Sequence, residues 1–363
     1  MGTSAKKTAI TIRLPGMGIR RSSPRPLVIP VFIPHRGCPH RCIFCNQSAI
    51  TGSADTAIES VSVRDQVHRF LSHSAPDRSP VEIAFFGGTF LGLPEQDITS
   101  FLQEAATLVG SGAADGIRFS TRPDTVTEAT LEWIRPFPVR TIEIGAQSMV
   151  DRVLDLAGRG HCEKDTRIAM GRIRKYGYRA GVQLMVGLPG ESERDTLATG
   201  KAISELAPDF VRVYPTVVVQ GSPLAEAYKR GEYHPLSLTE AVTRTKRLFL
   251  LFGYAGIPVT RMGLHVSTDP DLIGEVLAGP IHPAFGHLVL SEIFLDKVSL
   301  ALTQHPIAGK RLVLATHPSN LSRLQGQNCG NLSSLKEAFQ LKSVAVRVDE
   351  SLGKYEIRIR IAE

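Results

Sequence analysis

Six short β-rich runs, each followed by a stretch of helical character, constrain this chain more than any other feature. They are VIPVFIP (28–34), VEIAFFG (81–87), IRFST (117–121), TIEIG (141–145), GVQLMVG (181–187) and FVRVYP (210–215). Apolar strands separated by helical segments read as βα units, and repeated βα units build a parallel sheet. PEQDITSFLQEAATLV follows the second run, SMVDRVLDLAGRG follows the fourth, and IPVTRM (257–262) offers a seventh extended piece. Such a series suits a full barrel, an open partial barrel or a doubly wound sheet, and periodicity alone does not choose among them. A chain of 363 residues has room for one large α/β domain and an appendage.

The pattern changes past residue 265. A helix around 287–303, a strand in KRLVLATH (310–317), a helix near 332–341 and two strand-like runs, KSVAVRVD and KYEIRIRIA, predict a small α+β domain over 266–363. Residues 28–265 are the core, and 1–27 a basic, partly disordered lead-in broken by prolines and carrying the Arg20-Arg21 pair. That segment lacks the uninterrupted apolar run of a secretory signal. No apolar stretch is long enough to span a membrane as a helix, and the protein is expected in the cytoplasm. The net charge of +7 favours anionic partners, nucleic acid or a phosphorylated or carboxylated small molecule, against the bland reading of a merely basic surface.

The five cysteines do not form a disulfide framework: Cys38, Cys42 and Cys45 crowd into HRGCPHRCIFCNQ, while Cys162 and Cys329 stand apart and read as plain thiols. The crowded three lie just after the first strand, at the strand end where barrels build active sites. Three thiolates on an iron-sulfur cube leave one iron open to a ligand that is not protein. The rival is a structural zinc site completed by His35 or His40, but no second ligand pair such as C-x2-C or H-x3-H follows. At the end of the second strand FFGGTF brings Gly87, Gly88 and Thr89, a turn that admits a ligand close to the backbone and equally suits a tight strand-to-helix connection.

In order along the chain, C-x3-C-x2-C with Phe44 before its last cysteine, FFGGTF, STRPD, EIGAQSM followed by GRGH, QLMVGLPGE and VYPTVVVQGSPL resemble the radical S-adenosylmethionine (radical SAM) enzymes. The branch resembled includes the catalytic subunit of Elongator and the oxygen-independent coproporphyrinogen III oxidases. The resemblance implies a partial (β/α)6 TIM-type barrel, a 4Fe-4S cluster held by Cys38, Cys42 and Cys45, and S-adenosylmethionine on the open iron. It also implies an electron donor of flavodoxin or ferredoxin type and reductive cleavage to a 5′-deoxyadenosyl radical that abstracts hydrogen from a substrate. Carried over motif by motif, Phe44, Gly87, Gly88, Thr89, Ser120, Gln147, Arg159 and Gln183 become the residues expected to contact the cofactor. Arginine suits its carboxylate through a bidentate fork. Each has a plain alternative: Ser120 as a turn former, Gln147 as a barrel-end polar group, Arg159 as a solvated helix residue, Gln183 as a buried hydrogen-bonding residue. His40 and His161 read as supporting or surface residues, and Tyr214 as cavity-facing or packed.

The chain departs from the Elongator subunit in its shorter first gap between cysteines. Residues 266–363 also carry no glycine-rich loop to cradle acetyl-CoA, so an acetyl-dependent modification is not expected of them. RNA, tRNA in particular, is the first substrate expectation. An anionic small molecule of the coproporphyrinogen oxidase kind is the second, and a non-catalytic iron-sulfur binding protein the third.

Overall fold

The computed structural model describes residues 8–13, 26–33, 37–38, 40–46, 62–73, 80–264 and 275–362. Its elements in chain order begin with β1 (Thr8–Arg13), β2 (Leu27–Phe32), α1 (Val63–Ser72), β3 (Val81–Phe86), α2 (Glu95–Gly110), β4 (Gly116–Thr121) and α3 (Glu128–Ile134). Next come β5 (Val139–Gln147), α4 (Asp151–Leu156), α5 (Glu163–Lys175), β6 (Arg179–Val186), α6 (Glu193–Glu205), β7 (Phe210–Pro215), β8 (Val218–Val219), α7 (Pro223–Lys229), α8 (Leu238–Tyr254), β9 (Val259–Met262) and β10 (Val276–Ala278). The last stretch holds α9 (Phe285–Leu302), β11 (Arg311–Thr316), α10 (Leu321–Gln325), α11 (Gly330–Ala338), β12 (Ser343–Val348) and β13 (Glu356–Ala362). Described residues within 21–241 and 257–283 form one compact unit; those within 1–20, 242–256 and 284–363 form another.

The larger unit is a seven-stranded sheet in the order β2-β3-β4-β5-β6-β7-β9, every neighbouring pair parallel. Strands following one another in sequence lie side by side, the signature of right-handed βα winding. The sheet curls into the partial barrel the sequence implied. All six β-rich runs and the seventh extended piece are strands of this sheet. Local chemistry starts the helices between them: Ser62 caps α1 through Asp65 N, a Thr127/Thr130 capping box opens α3, and Ser192/Asp195 opens α6.

Alternation along the strands separates two faces. Ile83, Phe85, Ile117 and Phe119 are fully buried toward the helices, where Phe85 stacks on Phe90 at 5.0 Å, Phe90 on Phe119 at 4.6 Å, and Phe85 meets Phe101 of α2 at 5.6 Å. The opposite, inner face is polar. Arg118 of β4 pairs with Glu82 of β3 at 2.5 Å and Glu143 of β5 at 3.3 Å, and Glu143 also takes Arg212 of β7 at 2.8 Å. Thr141 donates to Glu82 at 3.0 Å. Each carboxylate is only 2 % exposed, so this network closes the inside of the barrel with mutually neutralised charge.

The smaller unit has a four-stranded sheet in the order β1-β13-β11-β12, antiparallel except for the parallel pair β11/β12. Leu312, Leu314, Ile357 and Ile359 are buried on one face, the side of α9, α10 and α11. Two differences from the sequence expectation appear here. Thr8–Arg13 lies in the stretch expected to be an irregular lead-in, yet it pairs residue for residue with β13; the rest of 1–27 lies largely outside the described residues. Residues 242–256, expected in the core, group with the smaller unit. There Lys246 of α8 pairs with Asp296 and Glu292 of α9 at 2.6 and 3.5 Å.

Candidate active site

The cysteine loop leaves β2 and is held on two sides of the larger unit by backbone. Ile43 N donates to Ala157 O at 3.0 Å, Leu224 N of α7 donates to Ile43 O at 2.8 Å, and Cys45 N donates to Cys42 O at 3.1 Å. Asn46 Nδ2 donates to Gln220 O at 2.5 Å. Ile43 and Phe44 pack against Val153, Ala157 and Leu188 on one side and Val218, Leu224 and Tyr233 on the other. Phe44 thus acts as an apolar anchor that fixes where the neighbouring thiols stand.

Glycines make the close approaches possible. At Gly160, φ +63°, a Cβ would stand 2.5 Å from the His40 ring, and at Gly158 one would stand 3.0 Å from Arg41 O. Gly37 nests against Gly92 and Leu93, beyond the turn that Gly87 and Gly88 begin. Gly87, at φ 124°, has no room for a Cβ, which would collide with Ile33 O. The GG-T turn therefore lies flush against the strand end from which the cysteine loop departs.

Two of the three thiols have polar partners from segments that follow later strands. Cys38 Sγ lies 2.9 Å from Oγ1 of the buried Thr89. Arg159 Nη1 donates to Cys42 Sγ at 3.0 Å while its Nη2 donates to Gly145 O at 2.5 Å. Arg159 is 5 % exposed, so the solvated-helix alternative does not hold. Gln147, at φ 67° on a bulge that ends β5, accepts from Gln183 Nε2 at 3.4 Å, joining those two expected contacts across neighbouring strands. Ser120 is half-buried on the inner face of β4, Gly87 is exposed and Gly88 is half-buried.

The chemistry of the donor set fits a cluster better than zinc. Burial first, then the neighbouring Cys42 and Cys38, push the Cys45 thiol up to about 12 against the opposing pull of Arg159. A thiol so disfavoured as a bare thiolate ionises when a cationic metal binds it and displaces its proton. Among the described residues no three His, Cys, Asp or Glu side chains are gathered as tightly as one ion demands. Zinc needs sulfurs at about 2.3 Å from a single centre, whereas a cube takes each thiolate on a different iron. His35, the first zinc candidate, lies outside the described residues, and His40 is exposed. Among the described residues, Arg159 Nε and Arg122 Nη1 are buried donors without a hydrogen-bond partner, fitting a site that takes an anionic group.

Arg122, inside STRPD, is a buried arginine whose part in the site the motif alone does not reveal. It is 3 % exposed, grips Asp124 through Nε at 2.9 Å and donates from Nη2 to Arg159 O at 2.5 Å, fixing the chain that carries the neighbouring arginine. Its signal was position, two residues beyond Ser120 on the same strand end. His161 is buried beside it, its pKa pushed down to about 4 by burial and then by Arg159 and Arg122. Cys162 is a helix-entry residue, its amide bonded to Asp165 at 2.8 Å, and Cys329 is exposed in the smaller unit. Tyr214 is buried on the inner face, with Arg212 5.2 Å from its ring.

A parallel half-barrel with a three-thiol loop at the end of its first strand and glycine, glutamine and arginine groups at the ends of the next strands defines a class of cofactor-using enzyme. The sequence pattern of the Radical SAM superfamily matches residues 32–203, and that of the Radical_SAM C-terminal domain matches 208–294. The chain belongs to the radical SAM superfamily, and it is an enzyme that works with a 4Fe-4S cluster and S-adenosylmethionine. Among its relatives is the tRNA uridine(34) acetyltransferase of Dehalococcoides mccartyi, 29 % identical over 236 residues, covering 54 % of this chain and 50 % of that one. Human Elongator complex protein 3 is 26 % identical over 285 residues, covering 66 % and 51 %. The archaeal Elp3 of Methanocaldococcus infernus shares the fold at a TM-score of 0.57 and 22 % identity, over 76 % of this chain and 63 % of that one. The chain spans about half the length of the tRNA acetyltransferase and Elongator relatives it matches. Among the described residues no helix is long and apolar enough to cross a membrane.

Proposed function

We propose that this chain makes a 5′-deoxyadenosyl radical and uses it on tRNA, with Cys38, Cys42 and Cys45 holding the cluster. The contact of Arg159 with Cys42 carries the reading of the site. It sets a fixed guanidinium beside the thiol loop, where it would bind the carboxylate of S-adenosylmethionine. The cluster and S-adenosylmethionine together supply one-electron cleavage and the hydrogen-abstracting radical. The protein's part is binding, orientation and exclusion. Gly87, Gly88 and Thr89 would receive the amino group, and Gln147 and Gln183 would contact the ribose. Thr89 orients the Cys38 thiolate, while Ile43 and Phe44 seal the loop against water.

The tRNA assignment is supported by relatives named as tRNA uridine(34) acetyltransferases, by shared barrel motifs and by the net charge of +7. The acetyl-dependent step of those relatives is not part of the proposal. An electron donor of flavodoxin or ferredoxin type would deliver the reducing electron in the cytoplasm.

The test is anaerobic reconstitution with iron and sulfide, then dithionite, S-adenosylmethionine and bulk tRNA, with 5′-deoxyadenosine and digested nucleosides followed by mass spectrometry. 5′-Deoxyadenosine that rises with tRNA, together with a nucleoside of altered mass, is expected. A loaded cluster that yields no 5′-deoxyadenosine sinks the radical chemistry in this chain. 5′-Deoxyadenosine that is indifferent to tRNA, with no altered nucleoside, sinks the substrate assignment alone.

A further inference from the structure

The smaller unit carries a surface that the thiol loop does not use. Strand alternation that sends Leu312, Leu314, Ile357 and Ile359 inward sends Arg13, Arg311, Arg347, Arg358 and Arg360 to the other face of the four-stranded sheet. The register spreads them. Arg358 sits between Thr11 of β1 and Ala315 of β11, Arg347 lies opposite Ala315 on the far strand, and Arg360 lies opposite Val313. Between the long side chains the floor is short, and an open depression of about 500 Å³ is lined by Val313, Ala315, Arg347, Arg358 and Arg360 with Asp349 and Glu350 at its margin.

Charge on this face is unevenly spent. Arg13 pairs with Glu356 at 2.8 Å and Arg358 with Asp349 at 2.6 Å. Arg311, Arg347 and Arg360 are exposed and form no ion pair with a carboxylate among the described residues. Arg358 and Arg360 stand two residues apart, about 6.7 Å along β13, and Arg347 lies two strands from Arg358, about 9.6 Å across. Such a spread suits an extended polyanion better than a single small anion. No Phe, Tyr or Trp lies on the four strands, so the face offers neither stacking platforms for bases nor an aromatic to insert into lipid.

We propose that the open face of this sheet is an RNA-docking surface, on which Arg311, Arg347 and Arg360 bind backbone phosphates without reading sequence. The proposal rests on RNA being the substrate and adds where the RNA is held outside the barrel. Contacts of this kind release counterions, so they leave a salt-dependent signature. The experiment is fluorescence anisotropy of labelled bulk tRNA against the full chain over a series of salt concentrations. It compares the unmodified chain, the triple variant Arg311→Ala, Arg347→Ala, Arg360→Ala, and the charge-keeping triple Arg311→Lys, Arg347→Lys, Arg360→Lys. Circular dichroism of each variant checks that it is folded. The alanine triple should weaken binding about tenfold or more at about 0.1 M salt and shrink the slope of log affinity against log salt by about 2 to 3. The lysine triple should keep most of both. An alanine triple that binds tRNA with unchanged affinity and slope overturns the docking surface and leaves the RNA reading standing. An unmodified chain that fails to bind tRNA even at low salt overturns both. If vesicles containing phosphatidylserine bind the unmodified chain and not the alanine triple while tRNA binds neither, the face belongs to a lipid surface and the proposal falls.

Discussion

Arg159 is held in place by what it donates to Cys42 and Gly145 and by what its own carbonyl accepts from Arg122. An arginine fork serves two acceptors at fixed angles, and lysine presents one point charge. Arg159→Lys should therefore keep the cluster absorption but weaken S-adenosylmethionine binding by about 10- to 100-fold, the size of a lost charge-assisted hydrogen bond of about 1.5–3 kcal/mol. Equilibrium dialysis with labelled cofactor measures it, and affinity within a factor of two of the unmodified chain would remove Arg159 from the site. His161, 6 % exposed, makes a second prediction through its pKa, lowered from 6.5 to about 4. Between those values the unfolded chain binds the proton that the folded one refuses, so stability falls as pH drops through the window. The contribution, on the order of 3 kcal/mol, is complete below pH 4. In denaturant titrations from about pH 7 to pH 4, His161→Gln should lose less stability than the unmodified chain; parallel curves would refute the assignment.

At the scale of elements the turn after β3 gives the sharpest contrast. Gly87 combines φ 124° with a carbonyl where its Cβ would sit, so Gly87→Ala strains the backbone and pushes on Ile33, where the cysteine loop starts. A loss of about 1–3 kcal/mol and impaired cluster loading are expected. Gly171, exposed inside α5 with nothing within reach of a Cβ, should behave oppositely: Gly171→Ala should gain about 0.5–1 kcal/mol. Thermal unfolding of both variants decides, and equal effects would contradict the role given to the turn. The same elements show what sequence reveals. Strands β3 and β6 were legible because apolar runs end at Gly87 and Gly187, and the proximity of the cysteine loop to Thr89 and Arg159 followed once parallel order put their strand ends together. The inner network was not legible. Glu82, Arg118, Glu143 and Arg212 read in sequence as polar positions of half-exposed strands, and only barrel curvature turns that alternation inward, where each charge finds its opposite. Arg122 escaped for a related reason, since its value lies in a carbonyl 37 residues away.

At the scale of the whole molecule, the two ends of the described chain lie in one sheet. β1 pairs with β13 from Thr8 with Ile361 to Arg13 with Glu356, 343 residues apart in sequence, a distance over which no local pattern could have announced the pairing. In the order β1-β13-β11-β12, β1 is the strand that keeps β13 from being an edge. Deleting residues 1–13 would remove the partner of β13 and uncover a strand whose alternate isoleucines form the buried face of that sheet. Loss of the half-buried Ile10 and Ile12 costs about 2–4 kcal/mol, and the newly open strand is a template for pairing with another chain. The truncated protein should show faster amide hydrogen exchange along β13 and a higher mass by light scattering at raised concentration. A Lys introduced on the floor of the uncovered edge, Ile359→Lys, is no rescue because it charges the core; charge belongs on the outward positions that Arg358 and Arg360 already occupy. Those arginines should keep self-association partial and make it increase with salt, as screening removes their mutual repulsion. Unchanged protection along β13 after the truncation would show that the strand holds its place without β1, and the closing role assigned to that strand would be wrong.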